Sequence, residues 1–269
     1  MPEWPEMEHY KQLLTKAIAG STIEQAMVNR DKSINTPVSQ FIGQVQGKRI
    51  VNIDRQAKML LFRLDSGQSL LLHLMLGGWM YYGDEQDKPQ RTVQIALSFG
   101  RRSLYFIGLR LGFLHVFDEQ ALQQRLSELG PDPVYGLTDA DMLARSLGSR
   151  HATLKSALVD QRLLAGIGSC YSDELCHAAG LRPDRSPRSL ASGEWGRLFA
   201  AMHDVLGRAL RGGGYLELAF SADDTLTVGY NDLLLVYDRS GEHCRRCGTI
   251  IERKDVASKK SFCCPGCQH

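Results

Sequence analysis

The chain has 269 residues, of which 43% are hydrophobic and 23% charged, a globular composition that excludes a disordered or fibrous polypeptide. This length has room for two domains and a small appended module. The net charge of +2 and pI near 8.1 exclude a uniformly cationic surface, so any nucleic-acid face must be a local patch balanced by acids elsewhere. No apolar run reaches the length of a membrane span and the acidic start MPEWPEMEHY lacks signal-peptide character, so a soluble intracellular protein is expected.

The first predicted element is a helix over 5–18, where Tyr10, Leu13, Leu14, Ala17 and Ile18 form an apolar stripe ahead of Gly20. Residues 22–118 then read as short strands, the clearest at 59–65, 68–76, 92–99 and 103–109, with Asp65-Ser66-Gly67 as a hairpin turn. A β-sandwich led by one helix is therefore expected over 1–130. Gly130-Pro131-Asp132-Pro133 is the clearest linker signal. Beyond it the pattern is helical at 138–147, 151–164, 169–179 and 189–211, stopped by Gly212-Gly213-Gly214, which gives a helical domain over 131–225. A hairpin around 226–238 leads into a C-terminal module over 226–269. The expected class is α+β.

That module carries Cys244-x2-Cys247 and Cys264-x2-Cys267, with sixteen residues between the pairs. Two such knuckles supply four thiolates to one structural zinc, Zn2+, and Pro265-Gly266 suits the tight turn a metal-bound hairpin needs. Cys170, Cys176 and Cys263 remain as an odd set, unlike a secreted disulfide framework. Residues 239–269 hold seven Lys or Arg against three acids, so a phosphate backbone is the expected partner of a hairpin too small for a core of its own.

Two further places carry chemistry. In Leu164-Ala165-Gly166-Ile167-Gly168-Ser169 the glycines allow a tight turn, and a helix starting near Ser169 presents free N–H groups to a phosphate. A plain helix connection with a glycine cap explains the same residues equally well. At the chain start, removal of Met1 would expose the secondary amine of Pro2, a nucleophile for an aldehydic sugar carbon, with Glu3 and Glu6 close by as acid and base. Acids in a first helical turn also simply favour the helix dipole.

Taken together, MPEWPEMEHY, RQAK (55–58), LVDQRLLAGIGSCYSDEL (158–175), CRRCG (244–248) and CPGCQ (264–268) closely resemble the formamidopyrimidine-DNA glycosylase / endonuclease VIII family, nearly end to end and in order. The resemblance implies a two-domain DNA repair enzyme with a helix–two-turn–helix element and a zinc finger. Such enzymes flip a damaged base from the duplex, cut its glycosidic bond and nick the abasic strand by β,δ-elimination. It implies Pro2 as the nucleophile, Glu3 as the acid at the deoxyribose oxygen, Glu6 as a second pocket carboxylate and Lys58 as a hairpin lysine near the lesion phosphate. Lys155 and Glu174 match further pocket positions, although Lys155 alone reads as a surface charge on an amphipathic helix. His73 has a counterpart too, but equally reads as a packed strand histidine.

The departures bear on specificity. Ser169 stands where many members carry Asn, and Lys259 where they carry a phosphate-gripping Arg, which keeps charge but loses the bidentate fork. In FIGLRLGF (106–113), Leu109 takes the place of an Arg that reads the orphaned base, leaving Arg110 to rebuild that contact. Leu76 and Leu111 stand as apolar wedges. Gly168 completes the expected DNA-contacting set. The partner implied is double-stranded DNA with damaged bases or abasic sites, bound by a monomer in the cytoplasm of a bacterium, at the nucleoid. A rival within the same family is an abasic-site lyase or damaged-DNA-binding paralogue with little base excision.

Overall fold

Pro5 sits in the first turn of α1 (Trp4–Ile18), where its missing N–H leaves no helical bond unmade, and Glu6 and Lys16 lie at the ends that favour their charges. The computed structural model describes residues 1–149, 152–227 and 229–269. These form two units, one of Met1–Ser127 with Gly212–Gly229, the other of Glu128–Arg211 with Tyr230–His269.

In the first unit α1 is followed by β1 (Gln25–Val28), α2 (Val38–Val45), β2 (Ile50–Gln56), β3 (Met59–Leu64), β4 (Ser69–His73), β5 (Trp79–Asp84), β6 (Val93–Phe99), β7 (Arg102–Ile107), β8 (Phe113–Phe117) and α3 (Glu119–Leu126). The strands make two antiparallel sheets, ordered β1-β6-β7-β5 and β2-β3-β4-β8. One core joins Tyr10, Leu14 and Ile18 of α1 to alternate residues of both sheets, among them Leu60 and Phe62 of β3 and Leu104 and Phe106 of β7. Strand geometry sends every second of these side chains into that core. The α+β sandwich expected from the sequence is the one found. Helix α2 is a correction, because the strand reading of 22–118 passed over it. Phe41 and Val45 recur at helical spacing and both are buried.

The second unit contains α4 (Ala140–Leu147), α5 (Leu154–Val159), α6 (Ser169–Ala179), α7 (Ser192–Arg211), β9 (Glu252–Val256) and β10 (Lys259–Cys263). The helix expected over 151–164 is shorter. Residue 151 lies outside the described residues, and α5 ends at Val159 because the Asp160 carbonyl accepts the Leu163 and Leu164 N–H groups in a new turn. The hairpin expected around 226–238 is absent among the described residues, which leave out 228. Its place is taken by turns, because Glu174 accepts the N–H groups of Leu235, Val236 and Tyr237 that a strand partner would otherwise bind. The hairpin lies further on, as β9 paired with β10 through Val256 and Lys259. After α7 the chain returns to the first unit through Gly212–Gly229, a segment the sequence reading had divided at 225.

Candidate active site and nucleic-acid interface

The start of α1 gathers buried carboxylates. Glu6 Oε2 accepts the Glu3 N–H at 2.6 Å, while Glu6 Oε1 accepts the Tyr215 N–H at 2.8 Å. The second bond requires Gly214, which has φ +77 and lies so close to Glu6 that a Cβ would meet Oε1 at 2.5 Å. Glu6 thus fastens the chain start to the returning segment. Glu8, two residues on, pairs with Arg55 of β2.

Lys58 is in the two-residue turn between β2 and β3, beside Ala57 with φ +54, and is buried. Burial lowers its pKa from the ordinary value, while the nearby charges of Glu3 and Glu6 act in the opposite direction. Pro2 is buried and helps to line a cavity of about 310 Å3 with Met1, Tyr10, Trp79, Arg91 and Tyr215. The structure thus brings Glu3, Glu6 and Lys58 into one electrostatic neighbourhood and places Pro2 at a cavity. His73, at the end of β4, packs edge-on to Phe113 with ring centroids 5.8 Å apart. Burial, then the Lys58 and Arg125 charges, hold its pKa down at about 4.

Two exposed leucines flank this region. Leu76 and Leu111 are 64% and 62% exposed, on the loops after β4 and β7. The loops meet backbone to backbone, since a Cβ on Gly108 (φ +72) would lie 2.0 Å from the Gly77 carbonyl oxygen. Leu109 makes no base contact in the sequence reading, and its burial agrees with that. It is fully buried, donating its N–H to Gln94 and accepting from the Ser33 hydroxyl, so its side chain belongs to the core and faces no base. Arg110 is exposed, and its carbonyl accepts from Arg30. Arg91 and Arg110 line one open groove of about 1010 Å3.

In the second unit, Gly168 caps α6 and Ser169 is its exposed first residue. Gln161 pins the preceding turn by accepting the Gly166 N–H and donating to the Ile167 carbonyl. Lys155 is not the surface charge that the residues alone suggest. It is 0% exposed, pairs with Asp173 at 2.7 Å and donates to the Ser169 carbonyl at 2.8 Å. These two contacts hold the start of α6 in place. Asp173 also accepts from the Ser261 hydroxyl and the Phe262 N–H, tying α6 to β10. Its pKa is pushed up to about 6 by burial, against the Lys155 charge. Lys259 is exposed at the start of β10.

The ligand atoms of Cys244, Cys247, Cys264 and Cys267 all lie within 4.8 Å of one another. Cys247 and Cys264 sulfurs are 3.4 Å apart, those of Cys244 and Cys267 3.8 Å. Tetrahedral zinc with Zn–S near 2.3 Å needs sulfurs about 3.8 Å apart, so these four fit the ion. Cys263 is not a member of this cluster.

Sequence reasoning missed Glu8, Arg55, Asp173 and Gln161 as supports of these sites. All four lie inside the quoted motifs, but nothing local marks their roles, since each acts through a partner elsewhere in the chain or through backbone groups of the next turn.

A helix-led sandwich joined to a helical unit that ends in a four-cysteine hairpin is the architecture of helix–two-turn–helix DNA repair glycosylases. Residues 1–113 match the formamidopyrimidine-DNA glycosylase N-terminal domain and residues 129–219 the formamidopyrimidine-DNA glycosylase H2TH domain. A formamidopyrimidine-DNA glycosylase of Pelotomaculum thermopropionicum is 33% identical over 273 residues, covering 100% of this chain and 99% of its own. One from Rhodopseudomonas palustris is 32% identical over 292 residues, covering both chains fully. Among solved structures, a Lactococcus lactis FPG mutant with a Fapy-dG containing DNA has a TM-score of 0.91 at 26% identity over the full length of both chains. The Lactococcus lactis Fpg with an abasic site containing DNA also gives 0.91, over 99% of each chain. The chain belongs to the formamidopyrimidine-DNA glycosylase family.

Proposed function

We infer that this protein excises damaged bases from double-stranded DNA and nicks the resulting abasic site. The observation that carries the reading is Pro2 at a cavity whose neighbouring α1 turn and β2–β3 turn supply Glu3, Glu6 and buried Lys58. The solved relatives bound to Fapy-dG and abasic-site DNA support it.

Once Met1 is removed, the Pro2 nitrogen carries a lone pair, and an α-amino group of ordinary pKa near ~8 is partly unprotonated at neutral pH. That nitrogen attacks C1′ of the deoxyribose, the ring opens with Glu3 protonating its oxygen, and the base leaves with its bonding pair and a proton. The iminium then withdraws electrons, so loss of a C2′ proton expels the 3′ phosphate (β), and a further proton loss expels the 5′ phosphate (δ). Water finally frees Pro2. Lys58 holds the phosphate beside the lesion. Leu76 and Leu111 fill the gap left by the extruded base, and Arg110 faces the opposite strand. Gly168, Ser169 and Lys259 hold phosphates. Zinc held by Cys244, Cys247, Cys264 and Cys267 supplies structural cross-linking of the hairpin, and no chemical step. No helix among the described residues is long and apolar enough to cross a membrane. The reading assigns the protein to the bacterial cytoplasm, working as a monomer on the nucleoid.

Borohydride trapping against duplexes with oxidised bases, alongside an abasic duplex, tests this. Covalent complexes are expected with processed protein on both, weak trapping with Pro2→Gly, and none with Met1 retained. Robust trapping by protein shown by mass spectrometry to carry Met1 rejects Pro2 as nucleophile. Trapping on the abasic duplex alone, without base release from any lesion, reduces the activity to that of a lyase.

A further inference from the structure

Tyr10 lies two turns into α1, packed against Phe220 of the returning segment with ring centroids 6.0 Å apart. The residue is 0% exposed, and its hydroxyl has no hydrogen-bond partner among the described residues. A buried hydroxyl left unpaired is costly, and nearly all such groups in folded proteins find a partner. Leu14 and Ile18 fill the same core without that cost, so a plain core position would favour Phe. Tyr10 nevertheless lines the cavity that Pro2 lines, together with Trp79 and Tyr215. Met1 forms part of that cavity's wall, so its removal enlarges the space as it frees the proline nitrogen.

We propose that the Tyr10 hydroxyl is a base-recognition group, donating a hydrogen bond to an acceptor oxygen or ring nitrogen of the nucleobase extruded into the Pro2 cavity. The proposal rests on the glycosylase reading above. Burial and the Glu6 and Asp224 carboxylates push the phenol pKa upward, which keeps it protonated and a donor at every working pH. An aromatic wall of Trp79 and Tyr215 suits a flat ring, and a single fixed donor selects among flat rings by where each carries an acceptor. The ligand class is an oxidised or ring-opened base bearing a carbonyl at its inner edge. A site built to hydrogen-bond one group discriminates strongly against analogues that lack it.

Tyr10→Phe removes one oxygen and leaves the packing intact. The probes are the oxidised-base duplex that wild type excises fastest and an otherwise identical abasic duplex, in single turnover. We expect base excision to slow roughly tenfold to a hundredfold, abasic nicking to stay within about twofold, and the melting temperature to hold or rise. Unchanged excision overturns the proposal. Equal slowing on both duplexes overturns it too, because the phenol would then serve the sugar or the fold. A wild-type protein that nicks abasic DNA but excises no base also overturns it, whereas wild type inactive on both duplexes rejects the proposed function itself.

Discussion

Arg55 Nε lies 2.8 Å from Glu8 Oε2 with both side chains all but closed to solvent, and the same guanidinium donates to the Ala57 carbonyl at 3.0 Å. It also lies 5.0 Å from the Trp4 ring centroid. One side chain thus ties the first turns of α1 to the turn that carries Lys58. A planar fork of fixed donors makes three contacts that a lysine could not.

Arg55→Met leaves the buried Glu8 carboxylate with only the half-exposed Lys11 as an ionic partner and is expected to cost up to about 3 kcal/mol in chemical unfolding. Adding Glu8→Met should recover most of that stability, yet abasic nicking should stay depressed at least tenfold because the Lys58 turn has lost its anchor. Full recovery of nicking in the double variant would show that the pair serves stability alone.

The place of Leu109 in the core bears on the base left behind by flipping. Without a fixed reader there, single-turnover excision of one lesion opposite A, C, G and T in turn should vary less than about a hundredfold, the upper end of one bidentate contact. Arg110 and Arg91 share a groove with Lys88, which is paired with Glu85, and are the arginines placed to act in its stead. A larger preference that disappears in Arg110→Ala would assign the reading to that residue. The same preference surviving both Arg110→Ala and Arg91→Ala would refute the argument from these loops.

The four-cysteine hairpin should carry one zinc per chain by metal analysis, with Cys263 uninvolved. Chelation or Cys247→Ser should weaken DNA binding by at least tenfold while most of the helical signal remains, because the four cysteines lie outside α4 to α7. A metal-to-protein ratio near zero in protein purified without chelators would sink this assignment.

His73 gives a pH dependence with a definite sign. Its folded pKa of about 4 is below the ordinary histidine value, owing first to burial and then to Lys58 and Arg125. The unfolded chain therefore takes up the proton first as pH falls. Stability from the neutral ring is full above pH ~6.5 and is lost between there and about 4, by no more than about 3 kcal/mol and less given the ring's partial exposure. Urea unfolding at pH 7 and pH 4.5 should show a smaller difference in His73→Gln than in wild type. Equal differences would remove His73 from the acid response.

Much of this architecture was legible in the sequence because its causes are local. Runs of bulky apolar residues set β3 and β4, Pro5 and Gly20 bound the first helix, and the spacing of Cys244, Cys247, Cys264 and Cys267 brings four sulfurs together. What only the tertiary structure decided depends on partners far along the chain. Lys155 looks like a surface charge until Asp173 meets it in the core. Residues 235–237 look like a strand until Glu174, about sixty positions earlier, takes their N–H groups. Leu109 looks like part of a reading loop until Gln94 and Ser33 turn it inward. Periodicity reports which face of an element is apolar, but a buried charge or an inward-turned loop is fixed by the distant group that satisfies it.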